Sequence, residues 1–438
     1  MSYLQRNIDK DLLEWKNSES RKPLLLRGAR QVGKSSTVRE LGKGFDYFFE
    51  INFENKEFAS AKKIFERHSN PQMICDELTA LYETPIVAGK TLLFLDEIQS
   101  CVDAISALRY FYEQMPGLHV VAAGSLLEFA LQEIPSYAVG RIRSLYMYPF
   151  SFKEFLQAMQ RTALLEKLQV ARFDNPLPEE VHNKLKELFL RFIVIGGMPE
   201  VVSKYASGGS LLDCSNILDE LIETQFNDFA KYKHRVPATR LEEVFSAIIA
   251  QTGQKFTYIQ ATTSANQVQI KESIELLKMA GLVYSVTHSS ANGFPLAAET
   301  NPRYRKLMIL DTGIYQRILR LDLTTLLLDE KIEQINKGAL AEMFVGTELV
   351  KSQNNRLSAE LYYWQREKGG STAEVDYVIQ QGQEIVPIEV KAGTKGAMQS
   401  MFLFLKEKQR PYGIRCSMEN FGEFQNIKIF PLYAAGKI

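Results

Sequence analysis

The chain has 438 residues, ample for roughly two to four domains with cores of their own. Lysine plus arginine equals aspartate plus glutamate at 52 each, so no global positive field draws it to nucleic acid or a membrane, and any DNA contact must be a local patch. The opening MSYLQRNIDKDLLEW has no signal-peptide apolar core, and no run approaches the ~18 uncharged apolar residues of a membrane span. Cys75, Cys101, Cys214 and Cys416 share no metal-ligand spacing with the five histidines; the expectation is a cytoplasmic protein with reduced thiols and no membrane association.

In chain order, short apolar or β-branched runs at 24–27, 47–53, 91–95, 119–123 and 145–148 alternate with helix-compatible segments such as 59–67 and 102–114, the pattern of a parallel α/β sheet over residues 1–150. The first run leads into Gly28, Ala29, Arg30, Gln31, Val32, Gly33, Lys34, Ser35 and Ser36, the strand, loop and helix context of a phosphate-binding P-loop. Its glycines let backbone N–H groups turn toward phosphate oxygens, and the following helix adds its positive end. Lys34 reaches the β and γ phosphates of ATP and Ser35 ligates magnesium.

TLLFLDEIQ supplies the second half of such a site: Asp96 holds magnesium, through water, and Glu97 orients and deprotonates the attacking water. The next strand ends at Ser125, whose hydroxyl is read either as a γ-phosphate sensor or as a helix N-cap. Arg141 and Arg143 in GRIRS place a guanidinium on the γ-phosphate, within one subunit or across two; solvated surface arginines are the alternative.

From 151 to 235 the pattern is helical, broken at Gly196-Gly197-Met198-Pro199, and suggests a lid. Residues 236–330 give helix, a short strand at 256–258, two helices ending at Gly281 and a strand pair at 282–287 and 306–309, the order of a winged helix. Basic residues in KYKHR (Lys231 to Arg235), Lys271, Lys278 and RYRK (Arg303 to Lys306) offer a DNA surface, though winged helices also pack domains together. The last domain, 331–438, opens with a helix from Ala339 and continues with strands at 361–364, 374–379 and 385–390.

A type II′ turn centred on Gly382-Gln383 places Asp376 directly opposite Glu389. Two facing carboxylates repel, and a Mg2+ or Mn2+ ion between them is the natural compensation. The strand period puts Lys391 on the face of Glu389, where it serves a water or a phosphodiester, and Glu342 from GALAEMFV completes the metal shell. A surface salt bridge between Glu374 and Lys391 is the plainer alternative.

Taken in order, LLLRGARQVGKSS, TLLFLDEIQS, AAGSLLEF, GRIRSLYMYPFSFKEF, IGGMPEVV, LMILDTGI, GALAEMFVGTEL, LYYW and AEVDYVI…IVPIEVKAG resemble the prokaryotic AAA-type ATPases whose C-terminal domain of unknown function is similar to the PD-(D/E)XK nuclease fold. Gln365 stands where that family usually has arginine. The resemblance implies an α/β fold: a P-loop AAA-type ATPase core with a helical lid, a winged-helix middle region and a C-terminal α/β nuclease-like domain. The expected activity is magnesium-dependent ATP hydrolysis that controls the attached module, with DNA as target and a homo-oligomer or protein partner in play. A nucleotide-operated interaction switch with a catalytically silent nuclease-like domain is the alternative.

Overall fold

The computed structural model describes residues 3–124, 127–133, 140–230, 235–262, 264–321, 337–366, 373–393 and 398–438. The chain divides into two compact units, one comprising Met1–Tyr148, Met279–Gly281 and Asn354–Ser358, the other the remainder.

In the first unit β1 (Leu24–Arg27), β2 (Tyr47–Asn52), β3 (Thr91–Asp96), β4 (His119–Ala123) and β5 (Arg143–Tyr146) form one sheet in the order β2-β3-β4-β1-β5. Every neighbouring pair is parallel. Every residue of β1, β3 and β4 is buried, which is why these strands read as continuous apolar runs without alternation. Residues such as Ile64, Phe65, Leu108 and Phe111 of the connecting helices close one face. Because β1 sits between β4 and β5, the strand order reverses beside it, and the crevice at the C-terminal ends of the strands is where such sheets receive ligands.

In the second unit the GGMP break behaves as its residues require. Helix Glu179–Ile195 stops at Gly196, whose φ of 74° suits glycine, and helix Pro199–Ala206 starts on its proline. A Cβ on Gly196 would lie 2.2 Å from Asp311 Oδ1 and one on Gly197 2.3 Å from the Phe150 carbonyl oxygen, while Asp311 Oδ2 accepts the Gly197 N–H at 2.6 Å. The helical segment expected as a lid packs within this unit, with Phe189 edge-on to Phe344 of helix Lys337–Ser352 at 4.8 Å between ring centres.

The hairpin β6 (Val283–Ser289) and β7 (Thr300–Ile309) continues into β8 (Leu361–Gln365), β9 (Glu374–Gln381), β10 (Glu384–Val390), β11 (Gly413–Ser417), β12 (Gly422–Phe424) and β13 (Ile427–Pro431). Together they make one eight-stranded mixed sheet in the order β12-β13-β11-β10-β9-β8-β6-β7. A division of the chain near residue 330 therefore does not divide the sheet, because β6 pairs in parallel with β8. The strand expected at 256–258 is reduced to a single bridge between Lys255 and Lys306, followed by the 3-10 turn Tyr258–Gln260. The β9–β10 turn falls on Gly382, with φ of 60°, and its register runs from Glu384 opposite Gln381 to Ile388 opposite Tyr377. The paired residues end there; the same register carried one step further would set Asp376 opposite Glu389.

Candidate functional site

At the end of β1 the chain turns through Gly28 at φ of 138° and, after Gln31 at 62°, through Gly33 at 97°. A Cβ on Gly28 would sit 2.1 Å from the carbonyl oxygen of Met147, so glycine is obligatory there. Arg6, which sequence reasoning passed over, fixes the loop from behind: its guanidinium donates to the carbonyls of Val32 at 2.9 Å and Tyr148 at 2.6 Å. Ala29 and Val32 are buried while Gln31 and Ser36 are exposed.

Lys34 opens the following helix, Lys34–Gly42. Its ammonium donates to the carbonyls of Gly28 at 2.9 Å and Ala29 at 2.7 Å, so the loop closes on its own cation. Burial pushes this lysine down to about 8, with Glu97 and Asp96 pulling the other way. The Ser35 hydroxyl donates to Asp96 Oδ2 at 2.9 Å, and Asp96 also accepts the Glu97 N–H at 3.1 Å. Burial raises Asp96 to about 6. Glu97 lies in the left-handed region at φ of 48°, and its carboxylate accepts from the Gln99 amide at 2.6 Å. The residues fit a magnesium–triphosphate group: a hydroxyl and a carboxylate in contact for the cation, a buried ammonium for the phosphates, and a second carboxylate beside them.

Arg141 and Arg143 stand elsewhere. Arg143 pairs with Leu24, the first residue of β1, whereas the loop follows Arg27, about 10 Å away along the strand. Arg141 is bound to Glu113 at 2.5 Å, near the end of helix Val102–Gln114. Within one chain neither guanidinium reaches the loop, since both lie at the N-terminal edge of a sheet whose phosphate site is at the C-terminal edge; only a second copy could bring them to it. Ser125 lies outside the described residues.

The second unit gathers its acids around a cation that sequence reasoning placed on a DNA surface. Lys306 is 2% exposed, and its ammonium meets Glu342 at 2.9 Å, Glu374 at 2.5 Å and Asp376 at 3.8 Å. Burial works against its charge, but the carboxylates of Glu342, Asp376 and Glu374 outweigh it and raise the lysine. Helix Lys337–Ser352 delivers Glu342: the Tyr377 hydroxyl donates to the Glu342 carbonyl at 2.8 Å, and a Cβ on Gly346 would lie 2.3 Å from that hydroxyl. Asp376 Oδ2 accepts the Val390 N–H at 2.7 Å. Lys391 binds Glu389 Oε1 at 2.7 Å, not Glu374, while Glu389 Oε2 is buried without a hydrogen-bond partner. Burial raises Glu342, Asp376 and Glu389 alike. Among the described residues no three His, Cys, Asp or Glu side chains group as a metal site.

Other basic candidates are partly committed. Arg305 is tied to Glu275 at 3.2 Å and to the Tyr258 hydroxyl, and Lys278 to Glu275 at 2.9 Å. Lys271 lies 5.7 Å from the Tyr258 ring centre and Arg303 is exposed. Lys231 and its neighbours to His234 lie outside the described residues. In the stretch after Trp364, Gln365 is followed by Arg366, which pairs with Glu407 at 2.6 Å. No helix among the described residues is long and apolar enough to cross a membrane.

Residues 20–156 match a family described as AAA domain. The first unit is an AAA-type P-loop domain. Beyond it, residues 186–325 match the domain of unknown function DUF8612 and residues 337–435 the domain of unknown function DUF4143. No curated protein matches the chain. Solved structures similar to it include the Walker-type ATPase of Pyrococcus abyssi, 15% identical, with a TM-score of 0.47, covering 73% of this chain and 96% of that one. The Aeropyrum pernix Orc1 protein in complex with DNA is 14% identical, with a TM-score of 0.26, covering 72% of this chain and 90% of the other.

Proposed function

We propose that the chain is a magnesium-dependent ATPase whose nucleotide cycle controls its own second unit, a winged-helix-like and nuclease-like module directed at DNA. The observation that carries the first half is the contact between Ser35 and Asp96 beside the buried Lys34. On nucleotide binding Lys34 exchanges the Gly28 and Ala29 carbonyls for phosphate oxygens. Ser35 and Asp96 would hold magnesium, which neutralises charge on the β and γ phosphates. Glu97, released from Gln99, accepts the proton of the attacking water.

In the second unit Asp376 and Glu389 would hold Mg2+ or Mn2+, and Lys391 would serve a water or a phosphate oxygen. The unpartnered Glu389 Oε2 supports this reading. The presence of Lys306 among Glu342 and Glu374 favours a second one, in which the module binds a partner without cutting it and the cycle operates an interaction switch.

Phosphate release by the pure protein, with magnesium and with or without DNA, tests the ATPase; turnover unchanged in Glu97→Gln would overturn the assignment. Incubation with mixed DNA and RNA substrates, with Mg2+ or Mn2+ and with or without ATP, separates the two readings of the module.

A further inference from the structure

The acidic cluster of the second unit contains more than facing carboxylates, and its charge balance can be read group by group. Glu342, Glu374, Asp376 and Glu389 supply four carboxylates. Against them stand two ammonium groups: Lys306, buried between Glu342 and Glu374, and Lys391 on Glu389 Oε1. With all four ionised two negative charges remain, whereas without a further cation burial favours the protonated forms of Glu342, Asp376 and Glu389. The two charges lie toward Asp376, whose Oδ2 accepts the Val390 N–H at 2.7 Å and whose Oδ1 has a 3.8 Å approach from Lys306, and Glu389, whose Oε2 is buried and unpartnered. An ionised carboxylate oxygen buried without any donor loses its hydration, and a divalent cation would both replace that hydration and balance the remaining charge.

We propose that Lys306 is a built-in counter-ion occupying the Glu342 and Glu374 side of this cluster, so that the cluster takes a single divalent cation, held by Asp376 and Glu389, and excludes a second. The inference rests on the metal reading of Asp376 and Glu389 given above. It changes the roles around that metal: Glu342, which the sequence pattern assigned to the metal shell, is a ligand of Lys306 instead. Lys306 is thus a positioning residue. One or two protein carboxylates with water completing the coordination is the usual provision for magnesium. Lys306 sits on β7, the far strand of the same sheet, so the hairpin of residues 283–309 is a constitutive part of the site.

The test counts Mn2+ ions bound per full-length chain, by electron paramagnetic resonance and calorimetry, without nucleotide and in an Asp96→Asn background that removes the other candidate ion position. The parent should bind one ion, lost in Glu389→Gln. Lys306→Ala should bind two, because Glu342 and Glu374 become free, and Lys306→Arg should return the count to one. A parent that binds no ion sensitive to Glu389→Gln would overturn the metal reading and the proposal with it. One ion in both the parent and Lys306→Ala, or two in the parent, would overturn the proposal alone. Should Lys306→Ala fail to fold by circular dichroism, Glu342→Gln decides: an ion count of one at unchanged affinity supports Lys306 as its partner, and a tenfold or larger loss of affinity marks Glu342 as a metal ligand and refutes it.

Discussion

Ser35 Oγ and Asp96 Oδ2 are 2.9 Å apart, although 61 residues separate them in the chain. The register of the parallel sheet brings them together: the loop leaves β1 and Asp96 ends β3, with β4 between the two strands. The pair therefore joins the loop after β1 directly to the acidic end of β3.

Lys34 and Glu97 should fail in different ways. Lys34→Ala removes the cation aimed at the phosphates and should abolish ATP binding, measured with a fluorescent analogue. Glu97→Gln should bind ATP as the parent does and lose turnover by roughly 10²- to 10⁴-fold, the usual contribution of a general base. Loss of binding in both would show that Glu97 supports the loop rather than the chemistry.

Nucleotide affinity should depend on pH through Lys34. Burial places its pKa at about 8 in the free protein, so the ammonium that phosphate needs is present below that value and lost above it. Affinity should be flat from pH 6 to 7 and fall roughly tenfold per unit above pH 8. Calorimetry across this range checks the sign; affinity that rises with pH contradicts it.

Asp96 carries a cost in the free protein. Its folded pKa, raised to about 6 by burial, lies above the ordinary aspartate value. The folded chain therefore binds a proton more readily than the unfolded one, and this contribution to stability fades as pH rises from 4 through 6. Asp96→Asn should raise the stability of the nucleotide-free chain at pH 7 by roughly 1–3 kcal/mol while removing magnesium dependence. A melting temperature below the parent's would count against it.

Glu348 is 3% exposed; it accepts the Phe152 N–H at 3.2 Å and binds the Lys351 ammonium at 3.2 Å. Glu348→Ala leaves that lysine buried without its carboxylate, and should destabilise the second unit by about 3–5 kcal/mol. Denaturant unfolding measures this; a change under 1 kcal/mol would mean that the pair is replaced by water.

Arg141 and Arg143 give a result that depends on concentration. If either acts, it acts from a second copy, so its alanine variant should lower turnover by orders of magnitude, and specific activity of the parent should climb with protein concentration. Parent-like rates in both alanine variants would leave these arginines as surface groups.

The first unit was the more legible part. Buried parallel strands announce themselves as unbroken apolar runs, and the loop between Gly28 and Ser35 demands its residues at fixed offsets, so strand, loop and acidic pair were all readable. The register of the β9–β10 hairpin was also readable, because a two-residue turn at Gly382 fixes the pairs that follow it, from Glu384 opposite Gln381 to Ile388 opposite Tyr377. Lys306 was not. It sits in a basic RYRK stretch that looks solvent-facing, and only the sheet, by seating β7 on β6 and β6 on β8, carries it to Glu342 and Glu374. The position of Arg141 and Arg143 was not legible for a similar reason: proximity in sequence to the end of β4 says nothing about which edge of the sheet β5 starts from.

Synthesis on the ribosome meets the eight-stranded sheet in an awkward order. β6 and β7 emerge first, and the strand that pairs with the free side of β6 follows only at Leu361. Until then the hairpin presents open backbone donors and acceptors, the kind of edge that recruits other chains. Cutting the gene between residues 310 and 360 would make that transient exposure permanent. An isolated C-terminal fragment would suffer the reciprocal injury, with β8 unpaired on one side and the acidic cluster stripped of its lysine.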